Sequence, residues 1–315
     1  MPKTYRVGVI GFAHMHINEL MRSFKELPNV EWIACADTVP DRSELVRATF
    51  SRAWNRDQYA RQQIGIPKVY DDYREMLDNE QFDIVLFCPE NSRHGEIAEA
   101  IAAHGAHMVT EKPMAASLAE ALRMYRAASA AGVELMVNWP STWWPGVRKA
   151  KELVDGGAIG TLWQVKWRPG SMGPLAPGST HPGVDGKAVE ITDAERGSTW
   201  WHHASTGGGA LLDYCCYGAC LSRWFAGQPA VAAFGMRANL GSQYGTADDN
   251  AVITVRFPKA LAVLEATWTC VDHGVANGPL LYGTSGTLVM DIYHDNTSVK
   301  LSRGKDDSGE VIKGD

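Results

Sequence analysis

Two stretches of the sequence carry side chains that could move a proton. In HMVTEKPMAAS, Lys112 follows Glu111 just past a predicted strand, at the edge of a sheet where ligands bind. In GGGALLDYCCYGACL, Asp213 and Tyr217 are four residues apart, so a helix would bring them to one face. An amine, a phenol and a carboxylate can accept, donate or orient a proton. These residues therefore predict acid–base chemistry.

Each of these residues also has a structural interpretation. A lysine at a sheet edge is usually a solvated charge, whereas a lysine held over a nicotinamide ring would be catalytic. Asp213 belongs to an otherwise apolar helix and needs a partner there, either Lys112 or nearby backbone N–H groups. Tyr217 could equally be a core aromatic. Spacing alone leaves these alternatives open.

The stretch VGVIGFAHMH runs from a buried strand into a turn that could hold a dinucleotide. Such a loop needs backbone N–H groups aimed at the pyrophosphate and a helix that starts behind them. Gly11 provides the tight turn, while Ala13 and His16 occupy the second and third glycine positions of the usual pattern. Asp37 follows the second predicted strand at about the 20-residue distance of a ribose-binding carboxylate. We expect NAD here, and Arg42 keeps NADP as the less favoured alternative.

The elements that must position these residues change character along the chain. Up to about residue 137, strands of continuous Val, Ile and Leu alternate with helices, which predicts a parallel Rossmann sheet. Later strands follow one another closely, which predicts an α+β domain with an open, mostly antiparallel sheet. The predicted domains are residues 1–137, which bind NAD(P), and residues 138–315, which bind substrate and form oligomers. Residues 169–198 are rich in Gly, Pro and charge and predict a loop that covers a site.

Composition argues against several other classes of protein. A net charge of -6 over 315 residues gives no sign of nucleic-acid binding, and no apolar run is long enough to cross a membrane. The N-terminus leaves no room for a secretory signal, and the six cysteines form no CxxC pair, which favours free thiols in a reducing cytoplasm. His14 with His16, and His202 with His203, form pairs that no Cys or carboxylate cluster joins, so we expect no metal.

These motifs resemble those of the Gfo/Idh/MocA family of sugar and polyol oxidoreductases over nearly the whole chain. Glu111-Lys112-Pro113 matches the EKP motif of that family, and PENSRH is similar to its TPN-x-x-H segment, with Asn91 and His94 retained. GGGALLD is similar to its later catalytic helix and YGTSGTL to its late hairpin. The resemblance implies hydride transfer between NAD(P) and a carbohydrate hydroxyl or carbonyl. It also implies that Lys112, Asp213 and position 217 surround the reacting carbon.

The chain departs from the family pattern at two places. Position 217 is Tyr where most members have His, so the resemblance is closer to tyrosine-containing members such as glucose–fructose oxidoreductase and dimeric dihydrodiol dehydrogenase. A phenol needs a nearby cation to act as a base near neutral pH. Members usually continue past the hairpin into a strand and a C-terminal helix, whereas this chain ends in SRGKDDSGEVIKGD. We interpret that end as a polar tail, in a chain that lacks the family's C-terminal strand and helix.

The predicted binding residues form two sets. The cofactor-binding set is Gly11, Phe12, Ala13, His14, Asp37, Arg42, Pro89, Glu90, Asn91, His94, Glu111, Lys112 and Asn138. The substrate-binding set is Lys112, Trp139, Trp143, Trp200, Trp201, Asp213 and Tyr217. Aromatic rings can stack on the apolar faces of sugars, although ordinary packing is the alternative for most tryptophans. The resemblance also implies a homodimer or homotetramer through the open sheet, where we expect Trp163, Trp167 and Trp268.

The resulting hypothesis is an NAD-dependent sugar or polyol dehydrogenase. Aldoses such as apiose, cyclitols and pyranose C3 hydroxyls are all compatible substrates. Two alternatives stay open: redox-assisted glycoside processing with a recycled cofactor, and a non-catalytic regulator that binds nucleotide and sugar. Retention of Lys112, Asp213 and Tyr217 argues against the regulator, because binding alone needs none of their acid–base capacity.

Overall fold

The computed structural model describes residues 3–38, 51–177, 190–270, 276–292, 294–305 and 307–315. The chain divides into two compact units, and neither is one continuous stretch. The first unit comprises Met1–Asn138, Pro174–Gly208 and Tyr244–Thr246; the second comprises Trp139–Gly173, Gly209–Gln243 and Ala247–Asp315. A segment from the middle of the chain therefore belongs with the N-terminal part.

The first unit contains a six-stranded parallel sheet in the order β3-β2-β1-β4-β5-β6. Its strands are β1 (Tyr5–Phe12), β2 (Val30–Ala36), β3 (Lys68–Tyr70), β4 (Ile84–Cys88), β5 (His107–Glu111) and β6 (Leu135–Asn138). Strand β1 pairs with both β2 and β4, so the ends of these three strands meet at one edge. The predicted Rossmann sheet is confirmed.

Helices cover this sheet. They are α1 (His16–Lys25), α2 (Arg52–Trp54), which runs into a π-helix (Asn55–Ile64), α3 (Tyr73–Asn79), α4 (His94–Ala103) and α5 (Leu118–Ala131). The unbroken apolar runs bury both faces of the central strands, because Val9 and Leu86 pack in one core cluster and Ile10 and Phe87 in another. The core thus fixes the strand ends at which polar side chains collect.

The second unit contains an eight-stranded sheet in the order β14-β13-β12-β11-β7-β10-β9-β8. Its elements are α6 (Pro145–Asp155), β7 (Leu162–Trp167), a π-helical turn (Leu211–Cys215), α8 (Cys216–Ala226), β8 (Ala232–Ala238), β9 (Asn250–Arg256), β10 (Leu261–Thr267), β11 (Leu280–Gly283), β12 (Thr287–Asp291), β13 (Asp295–Ser302) and β14 (Glu310–Lys313). Only β7 and β10 pair in parallel, so the predicted mostly antiparallel sheet is confirmed. The predicted hairpin YGTSGTL joins β11 to β12.

Two expectations about the second unit are wrong. The segment expected to be a polar tail instead ends in β14, which pairs antiparallel with β13 through Val299 and Ile312. Trp167 and Trp268 do not lie on the open sheet face: both are buried, and the Trp167 indole donates a hydrogen bond to the Tyr214 carbonyl. A large ring on an alternating strand packs where helix α8 covers the sheet.

Some expectations fall on residues outside the described ranges. They are Arg42 and residues 178–189 of the loop predicted at residues 169–198. The described part of that region includes a short helix, α7 (Asp193–Gly197), with a capping box between Thr192 and Glu195. Among the described residues, none of the helices is both long enough and apolar enough to span a membrane.

Candidate active site

The end of β1 requires its glycine. Gly11 has a φ of 81°, and a Cβ added there would come within 2.8 Å of the Pro89 nitrogen. Beyond it, the Phe12 N–H points to Asp37 Oδ1 at 3.4 Å and the His14 N–H donates to the Cys88 carbonyl. The bare Cα thus lets the turn pass close to the end of β4.

Two buried asparagines hold this turn from the side of α1 and the π-helix. Asn55 donates to the Phe12 carbonyl at 3.1 Å, and Asn18 donates to Asn55 Oδ1 at 2.8 Å. Both side chains are fully buried. Amides fit this place because each can donate and accept at once, but nothing in the sequence pattern distinguishes them from other asparagines.

A buried arginine joins two of the predicted cofactor residues. Arg52 donates from Nη1 to Asp37 Oδ1 at 2.8 Å and from Nη2 to Glu90 Oε1. All three side chains are buried, at 3%, 2% and 8% exposure respectively. Within the described residues, the second oxygens, Asp37 Oδ2 and Glu90 Oε2, are buried without a hydrogen-bond partner. Sequence reasoning missed Arg52, because a basic residue 15 positions after Asp37 carries no motif.

These features fit a nicotinamide dinucleotide in the first unit. A glycine that no side chain could replace lies at the end of the first strand, and a buried carboxylate with one unbonded oxygen follows the second. A dinucleotide loop requires both, the glycine for close backbone approach and the carboxylate for ribose hydroxyls. Gly11 and Asp37 are therefore the residues that would hold the cofactor.

Lys112 is not a solvated surface charge. It is 4% exposed, directly after the end of β5. Its neighbour Glu111 is also buried and accepts a hydrogen bond of 2.6 Å from Asn138 Nδ2, while His16 Nδ1 lies 3.6 Å from Glu111 Oε2. Glu111, Lys112 and Asn138, three of the predicted cofactor residues, thus lie together at the edge of the sheet.

Two side chains of the Pro89–His94 segment, Asn91 and His94, form hydrogen bonds with other loops. Asn91 Nδ2 donates to the Gly207 carbonyl at 2.7 Å, and a Cβ on Gly207 would come within 2.7 Å of the Asn91 Cβ. His94 Nδ1 lies 2.9 Å from the Met114 carbonyl, in the loop that follows Lys112. Burial lowers the pKa of His94, although the carbonyls of Met114 and Pro89 oppose that shift. His94 is thus a buried link between two loops of the site.

Trp200 and Trp201 pack on the predicted cofactor loop. The Trp200 indole donates to the Ala13 carbonyl at 2.9 Å, and both rings lie within 6 Å of the His14 ring, at 5.7 and 5.9 Å. Both tryptophans are buried. These contacts brace the turn after β1, and the predicted role of the two rings in substrate binding stays a prediction.

In the second unit, Asp213 lies on the π-helical turn and Tyr217 on the first turn of α8. Asp213 Oδ2 accepts from the Trp268 indole at 3.1 Å. The Tyr217 ring lies between Trp139 and Trp167, at 6.1 and 5.9 Å between centroids. π-Helical turns occur often at functional sites. Of the predicted substrate residues here, Trp139 touches Tyr217, whereas Trp143 is exposed.

The start of this helix depends on Asp248, which sequence reasoning did not single out. Its Oδ2 accepts from the Leu211 N–H at 2.8 Å, and its carbonyl accepts from the Ala210 N–H. Gly209 has a φ of 116°, and a Cβ there would lie 2.7 Å from Asp248 Oδ1. The carboxylate satisfies one of the N–H groups that a helix start leaves open, the Asp248 carbonyl satisfies another, and the charge offsets the positive end of the helix. Asp248 thereby fixes the helix that carries Asp213 and Tyr217.

Family models match both parts of the chain. Residues 5–139 match the model described as "Oxidoreductase family, NAD-binding Rossmann fold", and residues 147–289 match the "GFO/IDH/MocA C-terminal domain". The chain belongs to the Gfo/Idh/MocA family. It is therefore an NAD-binding Rossmann-fold oxidoreductase of that family, as its EKP and GGG motifs predict.

Individual relatives are distant. Myo-inositol 2-dehydrogenase of Thermotoga maritima is 24% identical over 93% of this chain and 77% of its own length. D-apiose dehydrogenase of Paraburkholderia graminis is 31% identical over 50% of this chain and 38% of its own. The structure of levoglucosan dehydrogenase in complex with NADH and levoglucosan superposes with a TM-score of 0.72 at 22% identity, covering 99% of this chain and 80% of that one. This likeness confirms the two-part fold.

The cysteine and histidine side chains form no separate reactive centre in the described part of the chain. None of the six cysteines, all of them described, forms a disulfide bond. Burial raises the pKa of Cys35 to about 12 and that of Cys88 well above its usual value. Across the described ranges, no group of three or more His, Cys, Asp or Glu side chains is arranged to hold a metal ion.

Proposed function

We propose that this Gfo/Idh/MocA protein is an NAD-dependent sugar or polyol dehydrogenase. The observation that carries the proposal is the burial of Lys112 beside Glu111, at the edge of the sheet that bears the cofactor loop. A lysine amine is costly to remove from water, and a buried titratable group at a strand end is a candidate for acid–base work.

The proposed roles follow from the chemistry of each side chain. Held at Gly11 and Asp37, a nicotinamide cofactor would supply the acceptor for the hydride of the carbinol carbon. The substrate hydroxyl loses its proton to Tyr217 Oη or Lys112 Nζ, and the carbon–oxygen bond becomes a carbonyl. Asp213 orients these groups, and its own position is supported by the indole N–H of Trp268. In the reverse direction, the same groups donate the proton to the carbonyl oxygen as it becomes a hydroxyl.

NAD is the proposed cofactor in preference to NADP. Asp37 presents a buried carboxylate oxygen that suits a ribose hydroxyl and would repel a 2′-phosphate. The relative solved with NADH also supports this preference. Polyols and sugars are the proposed substrate class because the relatives named above act on inositol, apiose and levoglucosan.

A substrate panel tests the proposal. Purified protein is incubated with cyclitols, aldoses and anhydrosugars in the presence of NAD or NADP, and the fluorescence of the reduced nicotinamide is followed. We expect turnover with at least one polyol and NAD, and roughly 10²- to 10⁴-fold slower turnover with the Lys112→Met variant. Glycoside cleavage without net NADH, or cofactor binding without turnover of any compound, would contradict the dehydrogenase assignment.

A further inference from the structure

The Asp37–Arg52–Glu90 triad holds more acceptor atoms than its own hydrogen bonds use. Asp37 Oδ1 takes three contacts, from Arg52, the Thr38 N–H and the Phe12 N–H. Asp37 Oδ2 and Glu90 Oε2 take none from the described residues, although both are buried. Buried carboxylate oxygens are rarely left without donors, because they lose water and gain nothing in return.

Arg52 brings the two carboxylates together. The nitrogens of one guanidinium group bond Oδ1 of Asp37 and Oε1 of Glu90, so both carboxylates lie along one edge of the same planar group. The helix that carries Arg52 is itself tied to the cofactor turn, since Asn55 donates to the Phe12 carbonyl. The pair is therefore built into the turn that would hold the dinucleotide.

The Asp37–Arg52–Glu90 triad contains more negative than positive charge. Two carboxylates share one guanidinium, which leaves the three side chains with one net negative charge in a buried place. Arg52 gives its two terminal nitrogens to carboxylates, so it is not presented as a phosphate ligand. Hydroxyl donors suit such a site, whereas a phosphate dianion does not.

We infer that Glu90 acts with Asp37 as a second acceptor for the ribose hydroxyls of the cofactor and excludes the 2′-phosphate of NADP, with Arg52 as the residue that positions both. The inference rests on the proposed use of a nicotinamide cofactor. The preference for NAD over NADP is thereby assigned to Glu90, which stands at the proline position of the family's TPN-x-x-H segment. In this assignment, Arg52 positions Asp37 and Glu90 and is not itself a ligand of the ribose.

Equilibrium binding of NADH and NADPH to the full chain tests this assignment. Glu90→Gln keeps the shape of the side chain and its contact with Arg52 but removes the charge. Loss of a hydrogen bond to a charged acceptor should weaken NADH binding roughly 10- to 100-fold. Binding of NADPH should stay the same or tighten, so the ratio of the two dissociation constants should fall. Glu99→Gln, on an exposed part of α4, should leave the ratio unchanged.

A ligand series makes the test independent of the stability of any variant. Wild-type protein should bind NADH more tightly than NADPH, and it should lose affinity for 2′-deoxy- or 3′-deoxy-NADH. In Glu90→Gln, removal of the hydroxyl that Glu90 binds should cause no further loss. Equal weakening of NADH and NADPH would mean that Glu90 only supports the fold, and wild-type protein without preference for NADH would also overturn the inference.

The two proposals fail in different ways. Wild-type protein that binds neither nucleotide would remove both the dehydrogenase assignment and the inference about Glu90. Wild-type protein that discriminates through Glu90 but oxidises no sugar or polyol would leave the inference standing and remove only the assignment of activity.

Discussion

The position of the Lys112 amine depends on the hydrogen bonds of its neighbour Glu111. Asn138 bonds one oxygen of that carboxylate, and the Lys112 N–H donates to the other at 3.3 Å. These bonds fix the backbone at the end of β5, from which the lysine side chain leaves. The residue before the catalytic candidate is thus a structural anchor.

Replacement of Lys112 by Met should separate catalysis from cofactor binding. The variant keeps an apolar stem but cannot transfer or stabilise a proton, so kcat should fall by roughly 10²- to 10⁴-fold. The NADH dissociation constant should change little. Steady-state kinetics and NADH fluorescence titration check both numbers, with Lys68→Met, at an exposed lysine, as the control. Normal kcat in Lys112→Met would remove this residue from the proposed mechanism.

His94 should make the fold sensitive to mild acid. Burial lowers the pKa of its imidazole below the ordinary value of 6.5, so the unfolded chain binds this proton at a higher pH than the folded one. The stability contribution of neutral His94 is therefore complete above about pH 6.5 and is lost as the pH falls toward the lower, folded-state pKa.

Replacement of His94 by Asn should reduce this pH dependence. Between pH 7.5 and 5, the Tm of the wild-type protein should fall further than that of His94→Asn. His104→Asn removes a histidine from the exposed end of the same helix and should behave like wild type. Parallel Tm curves for wild type and His94→Asn would show that another group is responsible.

For single residues, the sequence shows which side chains follow predicted strands but not which groups they form hydrogen bonds with. Asp37 and Lys112 could be singled out because each follows an apolar strand. Arg52 and Asp248 could not, because their roles arise from contacts over 15 or more residues, with Asp37 in one case and Leu211 in the other. Motif spacing records local order along the chain and carries no information on such distant pairs.

Among the elements, the helix that carries Asp213 should depend on a glycine at its start. Gly209→Ala would force a side chain into a φ of 116° and against Asp248 Oδ1. We expect a loss of about 1–3 kcal/mol in the free energy of unfolding from backbone strain, and a further loss from displacement of the carboxylate. Urea denaturation measures the total.

Gly227→Ala is the matched control for this prediction. Gly227 ends the same helix at a positive φ of 62°, and a Cβ there meets nothing within 4 Å. Its replacement should cost only the backbone strain, on the order of 1–2 kcal/mol. Equal losses in the two variants would mean that the contact with Asp248 contributes nothing.

Long apolar elements are predictable, whereas short polar ones are not. The central strands are continuous apolar runs, and the apolar residues of helix α5 (Leu118–Ala131) recur with a helical period. Strand β14 is a four-residue edge strand of mixed polarity whose ladder partner lies in β13, so composition alone gives it the character of a tail. The π-helical turn at Leu211–Cys215 depends on backbone pairing that side-chain patterns do not record.

For the whole molecule, one face of the second sheet leaves apolar side chains in solvent. Phe234, Met236, Val252 and Leu261 are between 47% and 73% exposed, and the register of β8, β9 and β10 puts them on one face. The opposite face buries Ala262 and Leu264. Contiguous exposed apolar patches usually mark interaction surfaces. We propose that this face joins copies of the chain in a homodimer or homotetramer.

Met236→Lys should therefore change the mass of the particle in solution. A charge on this face would have to be buried without a partner in the assembly, so we expect light scattering to report a smaller species than for wild type. Leu118→Lys replaces an equally exposed apolar residue of the first unit and should leave the mass unchanged. A wild-type monomer would contradict the proposal.

The first unit is assembled from three separate pieces of chain, and this has a consequence for how such proteins can be cut or recombined. A gene fragment that stops at Asn138 would encode all six parallel strands. It would lack the indole that bonds Ala13 and the carbonyl that bonds Asn91. An exchange of nucleotide-binding modules between relatives would therefore need the segment Pro174–Gly208 transferred together with the N-terminal segment. A simple head-to-tail fusion would combine the cofactor turn of one protein with the supporting indole and carbonyl of another.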